Sequence, residues 1–356
     1  MKVGLNARFL RKGSPTGVHK YTRELLTQLG DFESIDVVAL GTKTLPADLN
    51  EDEYETVGGR GPHSGVTAHV WDQIVLPALA TRHDIDVVHA PAGLPPLACP
   101  IPTVMTVHDL APVRHPEWFT SKYALYYRTM IPRAVRHANE IIAVSQFTRD
   151  EIQAEYPSVA DKTTVVHNGV TPPSGGEPPT PTPGDFFLFV GTMNRRKNLA
   201  RTVSAYRAYR QRSQDPHELI VVGPDRDIFA NENVPNTPGA KRLGYVPEAT
   251  LGWLYRNATA LVFPSLYEGF GFPIVEAMSV GTPVVTSNRG VMKEVSGTAA
   301  VLVDPEDVSG IAEGMERAID DHTELAEKGK RQAATFDWSK AVARTIDVYR
   351  KLVETL

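Results

Sequence analysis

The chain has 356 residues, a length typical of two domains of roughly 150–200 residues each. Hydrophobic residues make up 42% of it and charged residues 22%, which are the proportions of a folded globular protein and exclude a disordered one. The net charge of −5 excludes a general electrostatic attraction to nucleic acid, so we expect no nucleic-acid partner.

Three features of the sequence indicate the cellular compartment: the cysteine content, the opening residues and the length of the apolar runs. The single cysteine, Cys99, has no second cysteine with which to form an internal disulfide, which fits a reducing compartment. The opening sequence MKVGLNARFL is too short and too polar for a signal peptide. No apolar run approaches the roughly 18–20 residues that cross a bilayer. We therefore expect a cytoplasmic protein.

The N-terminal half alternates short segments rich in Val and Ile with segments of helical length. Such alternation is typical of a mostly parallel β-sheet with crossover helices. The strand-like segments are Lys2–Leu5, Asp36–Leu40, Asp86–Ala90, Thr103–Val107, Glu140–Val144 and Thr163–Val166, and helical patterns cover Val18–Leu29 and Lys122–His137. Residues 41–70 carry no clear pattern, and we assign them no element.

Residues 171–184 separate the two halves. Their sequence, TPPSGGEPPTPTPG, holds six prolines and three glycines, which excludes a helix or a central strand and predicts an extended linker. The alternation then resumes, with strand-like segments at Phe186–Val190, Leu219–Val222, Ala260–Phe263, Pro283–Thr286 and Ala300–Val303. Neither half contains the G-x-G-x-x-G spacing, so we expect no nicotinamide-binding domain.

Residues 258–286 are predicted to form a strand, a glycine loop, a helix and a second strand. The apolar run Ala260–Phe263 has the length and composition of a strand, and the loop after it contains Gly269 and Gly271. Pro273 suits the first turn of a helix, where a missing N–H costs nothing. Backbone N–H groups of such a loop and first turn stay unpaired, so they favour an anion.

Two carboxylates flank this anion site. Glu268 lies in the glycine loop, and Glu276 lies about one turn into the predicted helix. An anion site bordered by carboxylates suits a ligand with both phosphates and hydroxyls, such as a sugar nucleotide. An ordinary strand–helix turn with solvent-exposed glutamates would show the same pattern, because glycine loops are common.

Three consecutive cations follow another predicted strand, at the sheet edge where open α/β sheets bind ligands. Arg195, Arg196 and Lys197 come shortly after Phe186–Val190, in the sequence GTMNRRKN. Their charges suit a diphosphate. The alternative is a solvated basic turn, because charged runs usually face solvent.

Two histidines also lie at predicted strand ends, His108 in TVHDL and His89 in DVVHAPAG. Either side chain can reach a ligand at the mouth of a parallel sheet, although a lone histidine is more often structural. Asp109 directly follows His108 and can orient its imidazole by accepting a ring N–H.

The sequence SLYEGFGFPIVEAMSVGTPVV resembles the signature of the retaining glycosyltransferases of family 4, with both glutamates at the signature spacing. The resemblance implies the GT-B fold, an α/β architecture of two Rossmann-like domains whose parallel sheets face each other across a cleft. It also implies a C-terminal helix that crosses back to the first domain. From Trp338 onward, apolar residues recur at helical spacing and predict that helix: Val342, Ile346, Tyr349 and Val353. The expected divisions are residues 1–170, the linker 171–184, residues 185–336, and the helix 337–356.

The resemblance assigns roles to the reacting part of the site. By this match, Arg196 and Lys197 hold and neutralise the leaving diphosphate, and His108 lies beside the donor sugar. The transferred sugar is held by Glu268 together with Gly269, Phe270 and Gly271.

The resemblance also assigns substrate-binding positions around that centre. Glu276 is expected to bind the ribose hydroxyls, and the segment with Tyr245 and Val246 to border the nucleobase. Gly17, in SPTGV, corresponds to a glycine loop that faces the donor phosphates, although many members have two adjacent glycines where this chain has Thr16-Gly17. Asp109 is placed beside His108.

The implied activity is the transfer of a sugar from a nucleotide diphosphate sugar to a hydroxyl of a glycan or lipid-linked acceptor. The N-terminal half, including TVHDLAPVRHPEWFT, looks most like mannosyltransferases of polysaccharide assembly, so GDP-mannose is the expected donor. Two alternatives from other classes remain: a sugar-nucleotide 2-epimerase of GT-B architecture, and a non-catalytic sugar-nucleotide-binding protein.

We expect no cofactor and no metal. The triplets Asp84–Asp86 and Asp225–Asp227 resemble metal-binding sequences, but two carboxylates without a third ligand define no site. Residues 121–137 are predicted to form an amphipathic surface helix, and peripheral contact with a membrane or an acceptor glycan is its alternative role.

Overall fold

The computed structural model describes residues 1–10, 17–42, 45, 49, 54–58, 65–224 and 236–354. The chain divides into two compact units. The first consists of Met1–Val113, Leu125–Gly169 and Trp338–Leu356, and the second of Arg114–Ala124 and Val170–Asp337. Each unit is built on one parallel β-sheet, which confirms the prediction of two Rossmann-like α/β units.

In the first unit, the described residues form a seven-stranded sheet with the spatial order β3-β2-β1-β4-β5-β6-β7. Its elements are β1 (Lys2–Asn6), α1 (Gly17–Gly30), β2 (Asp36–Leu40), β3 (Glu55–Val57), α2 (Gly65–Val70), α3 (Leu76–Arg82), β4 (Val87–Ala90), β5 (Thr103–Val107), α4 (Ala111–Arg114), α5 (Ser121–His137), β6 (Glu140–Ala143), α6 (Gln146–Glu155) and β7 (Thr163–Val165). A π-helical segment, Trp71–Val75, joins α2 to α3. The segment to which no element was assigned therefore contains β3 and α2.

In the second unit, the described residues form a six-stranded sheet with the order β10-β9-β8-β11-β12-β13. Its elements are β8 (Phe186–Val190), α7 (Leu199–Arg212), β9 (Glu218–Val222), β10 (Ala240–Gly244), α8 (Glu248–Asn257), β11 (Ala260–Phe263), α9 (Phe272–Ser279), β12 (Val284–Ser287), α10 (Gly290–Ser296), β13 (Val301–Val303), α11 (Val308–Asp320) and α12 (His322–Ala333). The central strands β8 and β11 are neighbours, and both are almost wholly buried. Burial on both faces explains their continuous apolar sequences.

The last helix, α13 (Trp338–Glu354), belongs to the first unit. Val342, Ile346 and Tyr349 are buried along one of its faces, as predicted, but Val353 is 40% exposed and Leu352 is buried in its place. The helix begins against Gly169, where a Cβ would lie 2.3 Å from the Trp338 ring. Only a glycine allows this approach.

Residues 171–184 contain no helix or strand, and the segment lies against α8. The Arg256 guanidinium donates a hydrogen bond to the carbonyl of Pro173 at 2.5 Å. At Gly175, whose φ is +100°, a Cβ would lie 2.3 Å from the Cα of Ala249. The proline-rich segment is therefore packed on the second unit.

One short piece of the N-terminal half groups with the second unit. Within Arg114–Ala124, the rings of His115 and Trp118 stack at 3.9 Å between centroids. Both rings contact Tyr267, at 5.4 and 6.3 Å. This piece thus packs beside the loop that carries the predicted Glu268.

Candidate active site

Two loops of the second unit meet at the carboxyl end of its sheet, because β8 and β11 are parallel neighbours. The first loop carries the predicted cations on a single 3₁₀ turn, and the second is the glycine loop. The backbone N–H of Leu266 donates to the carbonyl of Arg196 at 2.8 Å. The Asn198 amide donates to the carbonyls of Pro264 and Pro305 at 2.9 and 2.7 Å. These bonds fix the cationic turn onto the glycine loop.

The cationic turn is shaped by residues that are not themselves charged. The Asn194 side chain accepts a hydrogen bond from the Lys197 N–H at 3.2 Å and caps the turn. Asn198 ends it in a left-handed conformation with φ of 62°, which asparagine tolerates better than most residues. At Gly223, with φ of +143°, a Cβ would lie 1.9 Å from the carbonyl oxygen of Gly191. The loop after β9 thus needs glycine to pass the backbone of Gly191, which directly follows β8.

Three of the predicted catalytic side chains come together here. The Nζ of Lys197 lies 2.6 Å from Oε1 of Glu268, and the Nη1 of Arg196 lies 3.5 Å from Oε2. The Ser265 hydroxyl donates to Oε1 at 2.9 Å. Glu268 is 6% exposed and Lys197 8%, whereas Arg195 is exposed. The cluster is therefore a buried carboxylate held by two cations and a hydroxyl.

The cluster controls the protonation of its carboxylate. Burial by itself would raise the pKa of Glu268, but the charges of Arg196 and Lys197, with hydrogen bonds from Lys197 and Ser265, hold that pKa below its usual value. Glu268 is consequently ionised at neutral pH. Arg196, Lys197 and Glu268 together carry a formal charge of +1, so the cluster still attracts an anion.

The start of α9 follows the predicted pattern. Gly271 precedes the helix in a left-handed conformation with φ of 92°, and Pro273 lies in the first helical turn. The Phe270 ring packs on Phe272 and Phe336, at 5.1 and 5.6 Å between centroids. Because the Phe270 ring packs on these two neighbours, the predicted contact of Phe270 with a sugar would be made by its backbone.

Glu276, the predicted ribose ligand, lies on α9 and is buried. The phenol of Tyr255, on α8, donates a hydrogen bond to its Oε2 at 2.8 Å. Sequence reasoning missed Tyr255, which lies 21 residues away inside an ordinary helical pattern. It also missed Ser265, although the spacing Ser265-x-x-Glu268 was visible.

The segment predicted to border a nucleobase directly follows β10. Tyr245 is 55% exposed, and Val246 is partly buried. The carbonyl of Gly244 accepts a hydrogen bond from the Gly223 N–H at 2.8 Å, so this segment lies beside the loop that follows β9. The ends of β8, β9, β10 and β11 therefore share one edge of the second unit.

The other predicted site residues, Gly17, His108 and Asp109, belong to the first unit. Gly17 is exposed at the start of α1, and residues 14–16 of its predicted loop lie outside the described residues. His108 follows β5, and its Nε2 lies 2.7 Å from the carbonyl oxygen of Pro91. A carbonyl only accepts hydrogen bonds, so Nε2 carries the proton.

The environment of His108 keeps its ring neutral. Burial lowers the pKa of His108, against the opposing effects of the Pro91 hydrogen bond and the Asp109 charge. Since a neutral imidazole has a single N–H, Pro91 takes the hydrogen bond that the sequence assigned to Asp109. The Asp109 carboxylate instead accepts from the Ala111 N–H at 2.9 Å. The Tyr21 ring meets the imidazole edge-on, 4.9 Å between centroids.

His89, the alternative histidine, is fully buried in the first unit. Its Nδ1 lies 2.6 Å from the Tyr349 hydroxyl, and its Nε2 lies 2.8 Å from the Thr106 hydroxyl. Burial lowers the pKa of His89 to about 3, with a smaller effect from His108. With both ring nitrogens engaged, His89 connects α13 to the sheet and has none left for a ligand.

Among the residues that the structure describes, no group of three or more metal-binding side chains is found. Of the two acidic triplets, Asp225–Asp227 lies outside the described residues. Asp86 of the other triplet accepts a hydrogen bond from the Lys2 N–H at 2.7 Å. Likewise, no described helix is both long and apolar enough to span a membrane.

Comparison with known families covers nearly the whole chain. The family described as "Glycosyl transferases group 1" matches residues 176–336, which contain all the site residues of the second unit discussed above. The family described as "Glycosyltransferase Family 4" matches residues 15–172, which include Gly17 and His108.

Individual relatives agree with this assignment. The chain is 32% identical to O-antigen chain mannosyltransferase B of Escherichia coli over 269 residues, which cover 70% of each chain. It is 26% identical to glycogen synthase of Mycobacterium tuberculosis over 292 residues, covering 78% of this chain and 70% of the relative.

Among solved structures, Anabaena Alr3699/HepE in complex with UDP-glucose aligns over 100% of this chain and 99% of its own, with a TM-score of 0.70 and 19% identity. At that identity the likeness speaks for the fold, and it agrees with the two Rossmann-like units described above. The chain therefore belongs to the group 1, family 4 glycosyltransferases, and it is a glycosyltransferase of the GT-B fold.

Proposed function

We propose that this glycosyltransferase moves mannose from GDP-mannose to a hydroxyl of a glycan or lipid-linked acceptor and retains the anomeric configuration. Similarity to an O-antigen chain mannosyltransferase supports mannose and a polysaccharide acceptor. Similarity to HepE, whose crystal structure holds UDP-glucose, supports a nucleotide sugar as donor.

The observation that carries the proposal is the buried cluster of Lys197, Arg196 and Glu268 beside the glycine loop. When the bond between C1 of the sugar and the diphosphate oxygen breaks, negative charge develops on the diphosphate. The two cations stabilise that charge from fixed positions, which is worth more in a buried site than in water. Glu268 then turns to the hydroxyls of the transferred sugar.

The proton balance needs no further base. The acceptor oxygen forms the new bond to C1 on the face that the diphosphate leaves, and its proton passes to the departing diphosphate oxygen. His108 orients the sugar as a neutral imidazole, and Glu276 binds the ribose hydroxyls. Such groups act mainly by positioning, which lowers the barrier by fixing the reacting atoms in place.

A thermal-shift panel of GDP-, UDP- and ADP-sugars tests the donor. A ligand at 100 times its Kd adds about 2.7 kcal/mol to stability, so GDP-mannose should raise the melting temperature more than the other sugars at equal concentration. A preference for another base or sugar would overturn the donor assignment.

Product analysis tests the reaction. Proton NMR of the purified product should show the α-anomer that the donor carries, and inversion would contradict the proposal. Turnover should require an acceptor, whereas a 2-epimerase would convert the donor alone. Because fixed cations serve the diphosphate, transfer should persist in excess EDTA. Activity restored only by a divalent ion would refute this metal-free reading.

The proposal includes peripheral contact with a membrane that carries the acceptor. Leu125 on α5 is 67% exposed and Ile74 is 66% exposed. Their helical segments are adjacent, since the rings of His69 and Tyr126 lie 4.1 Å apart. Three exposed arginines follow on α5, at positions 128, 133 and 136. Apolar side chains beside a cationic helix suit an anionic lipid surface.

Vesicle sedimentation tests this contact. The protein should sediment with phosphatidylglycerol vesicles more than with phosphatidylcholine vesicles, and Leu125→Glu should weaken the binding. Val353→Glu on α13, also an exposed apolar position, is the matched control. Equal sedimentation of wild type and Leu125→Glu would remove α5 from the membrane contact.

A further inference from the structure

Glu276 is held by a tyrosine that sequence patterns assign only to the core. Tyr255 is fully buried on α8, and its hydroxyl donates to Oε2 of Glu276 at 2.8 Å. A hydrogen bond to a charged group is stronger than one between neutral groups. The bond joins α8 to α9 and fixes one oxygen of the carboxylate.

The phenol can act only as a donor in this place. Burial raises the pKa of Tyr255 far above its ordinary value, and the charge of Glu276 raises it further. The hydroxyl therefore keeps its proton at neutral pH, and Glu276 meets an O–H there. No ionisation of the tyrosine competes with this contact.

The tyrosine is itself held in place. Its backbone carbonyl accepts a hydrogen bond from the hydroxyl of Thr282, which follows α9. Tyr255 lies in the last turns of α8, whose preceding residue Leu254 is also fully buried. Burial of the Tyr255 ring keeps the phenol in place even without the Thr282 bond, so the hydroxyl contact with Oε2 is what restrains the rotation of the carboxylate.

We infer that Tyr255 is a positioning residue that holds the Glu276 carboxylate in the orientation that binds the ribose diol. The inference rests on the proposed role of Glu276. The consequence is a preference for ribose in the nucleotide part of the donor. The protein binds a ribonucleotide more tightly than a dideoxynucleotide because Tyr255 holds the carboxylate in the orientation that binds the two ribose hydroxyls. A carboxylate free to rotate would lose that preference.

The test compares nucleotides with and without the diol. Dissociation constants are measured by calorimetry for GDP and 2′,3′-dideoxy-GDP, and for the matching uridine pair, in wild type and in Tyr255→Phe. The variant loses only the phenol oxygen. We expect it to bind the ribonucleotide about tenfold more weakly, equivalent to about 1.4 kcal/mol, and the dideoxynucleotide as tightly as wild type does.

Thr282→Val is the matched control. It removes the neighbouring buried hydrogen bond to the Tyr255 backbone and leaves the phenol in place. We expect it to lower the melting temperature while the ratio of the two dissociation constants stays at the wild-type value. A purely structural role of Tyr255 would make Tyr255→Phe behave in this same way, and that result would overturn the inference.

Glu276→Gln separates the inference from the proposed function beneath it. If wild type prefers the ribonucleotide and Glu276→Gln loses the preference, the ribose role of Glu276 stands. An unchanged ratio in Tyr255→Phe would then refute the role of Tyr255 alone. If Glu276→Gln keeps the wild-type ratio, the carboxylate does not read the diol, and both statements are wrong.

Discussion

Replacing Glu268 by Gln tests the central cluster, because it removes one charge and keeps the shape. Lys197 and Arg196 then share a buried site without their counter-charge. Loss of one partner of a buried ion pair costs about 3–5 kcal/mol. For a unit of this size each kcal/mol lowers the melting temperature by roughly 2–4 °C, so we expect a fall of roughly 6–20 °C. Gln keeps a hydrogen-bond acceptor, which favours the lower half of that range.

The same variant should respond more strongly to a diphosphate. In wild type, GDP or UDP competes with Glu268 for the two cations, whereas in Glu268→Gln the ligand supplies the missing negative charge. Differential scanning fluorimetry should therefore show a larger upward shift with nucleotide in the variant than in wild type, while transferase turnover falls. Equal melting temperatures and equal nucleotide shifts in both proteins would refute the reasoning.

The pH dependence of stability in acid tests the ion pair of Glu268 and Lys197 independently. The pKa of Glu268 is lowered in the folded protein, so the unfolded chain takes up this proton first as the pH falls. The contribution of ionised Glu268 to the free energy of unfolding is thus complete above pH 4.5, the ordinary pKa of a glutamate. This contribution is lost as the pH drops through the pKa of Glu268 in the folded protein. Wild type should lose this part of its stability in acid, and Glu268→Gln should lack that loss.

Other side chains give separate outcomes. Lys197→Ala and Arg196→Ala should each weaken GDP or UDP binding by roughly 1.5–3 kcal/mol, while the exposed Arg195→Ala serves as control; calorimetry that ranks all three alike would move the phosphates elsewhere. His108→Ala should lower kcat about 10²-fold with little change in nucleotide affinity, and a harmless substitution would remove it from the site. Burial lowers the pKa of His89 to about 3 in the folded protein, so below its ordinary pKa of 6.5 the proton binds to the unfolded chain first. The free energy of unfolding should therefore fall by about 2 kcal/mol between pH 7 and pH 5 because of this residue. Urea titrations of His89→Gln should lack this fall.

Strands that are mostly buried could be predicted from sequence, whereas β3 and β10, which carry exposed residues, could not. β8 and β11 are buried on both faces, so their apolar runs stand out. The missed strands β3 and β10 each form one edge of a sheet, and the opposite edges, β7 and β13, are strands that the sequence predicts. β10 reads Ala-Lys-Arg-Leu-Gly and is largely exposed. An edge strand with exposed side chains is defined mainly by hydrogen bonds to its one neighbour, and those bonds leave little trace in the hydrophobicity of the sequence. The edge strand β13 is recognisable because its residues are apolar and mostly buried.

The site divides along a similar line. Arg196, Lys197 and the glycine loop were predicted because each lies next to a strand end, and parallel strands bring such ends to one edge. The partners that fix them are remote in sequence: Asn198 reaches Pro305, and Tyr255 reaches Glu276. Local patterns carry no information on such pairs, since a buried tyrosine in a helix looks the same with or without a hydrogen-bond partner.

The pairing of Glu268 with Lys197 connects the stability of the second unit to the chemistry proposed for it. Two cations placed for a diphosphate would be costly to bury alone, because an unpaired charge in a low-dielectric site loses its hydration. Glu268 offsets that cost when no nucleotide is bound, and it stays ionised because the cations lower its pKa. A ligand that brings only phosphate must displace the carboxylate and leave it without a partner. A nucleotide sugar brings phosphate for the cations and hydroxyls for the carboxylate, so the intact donor satisfies all three side chains at once.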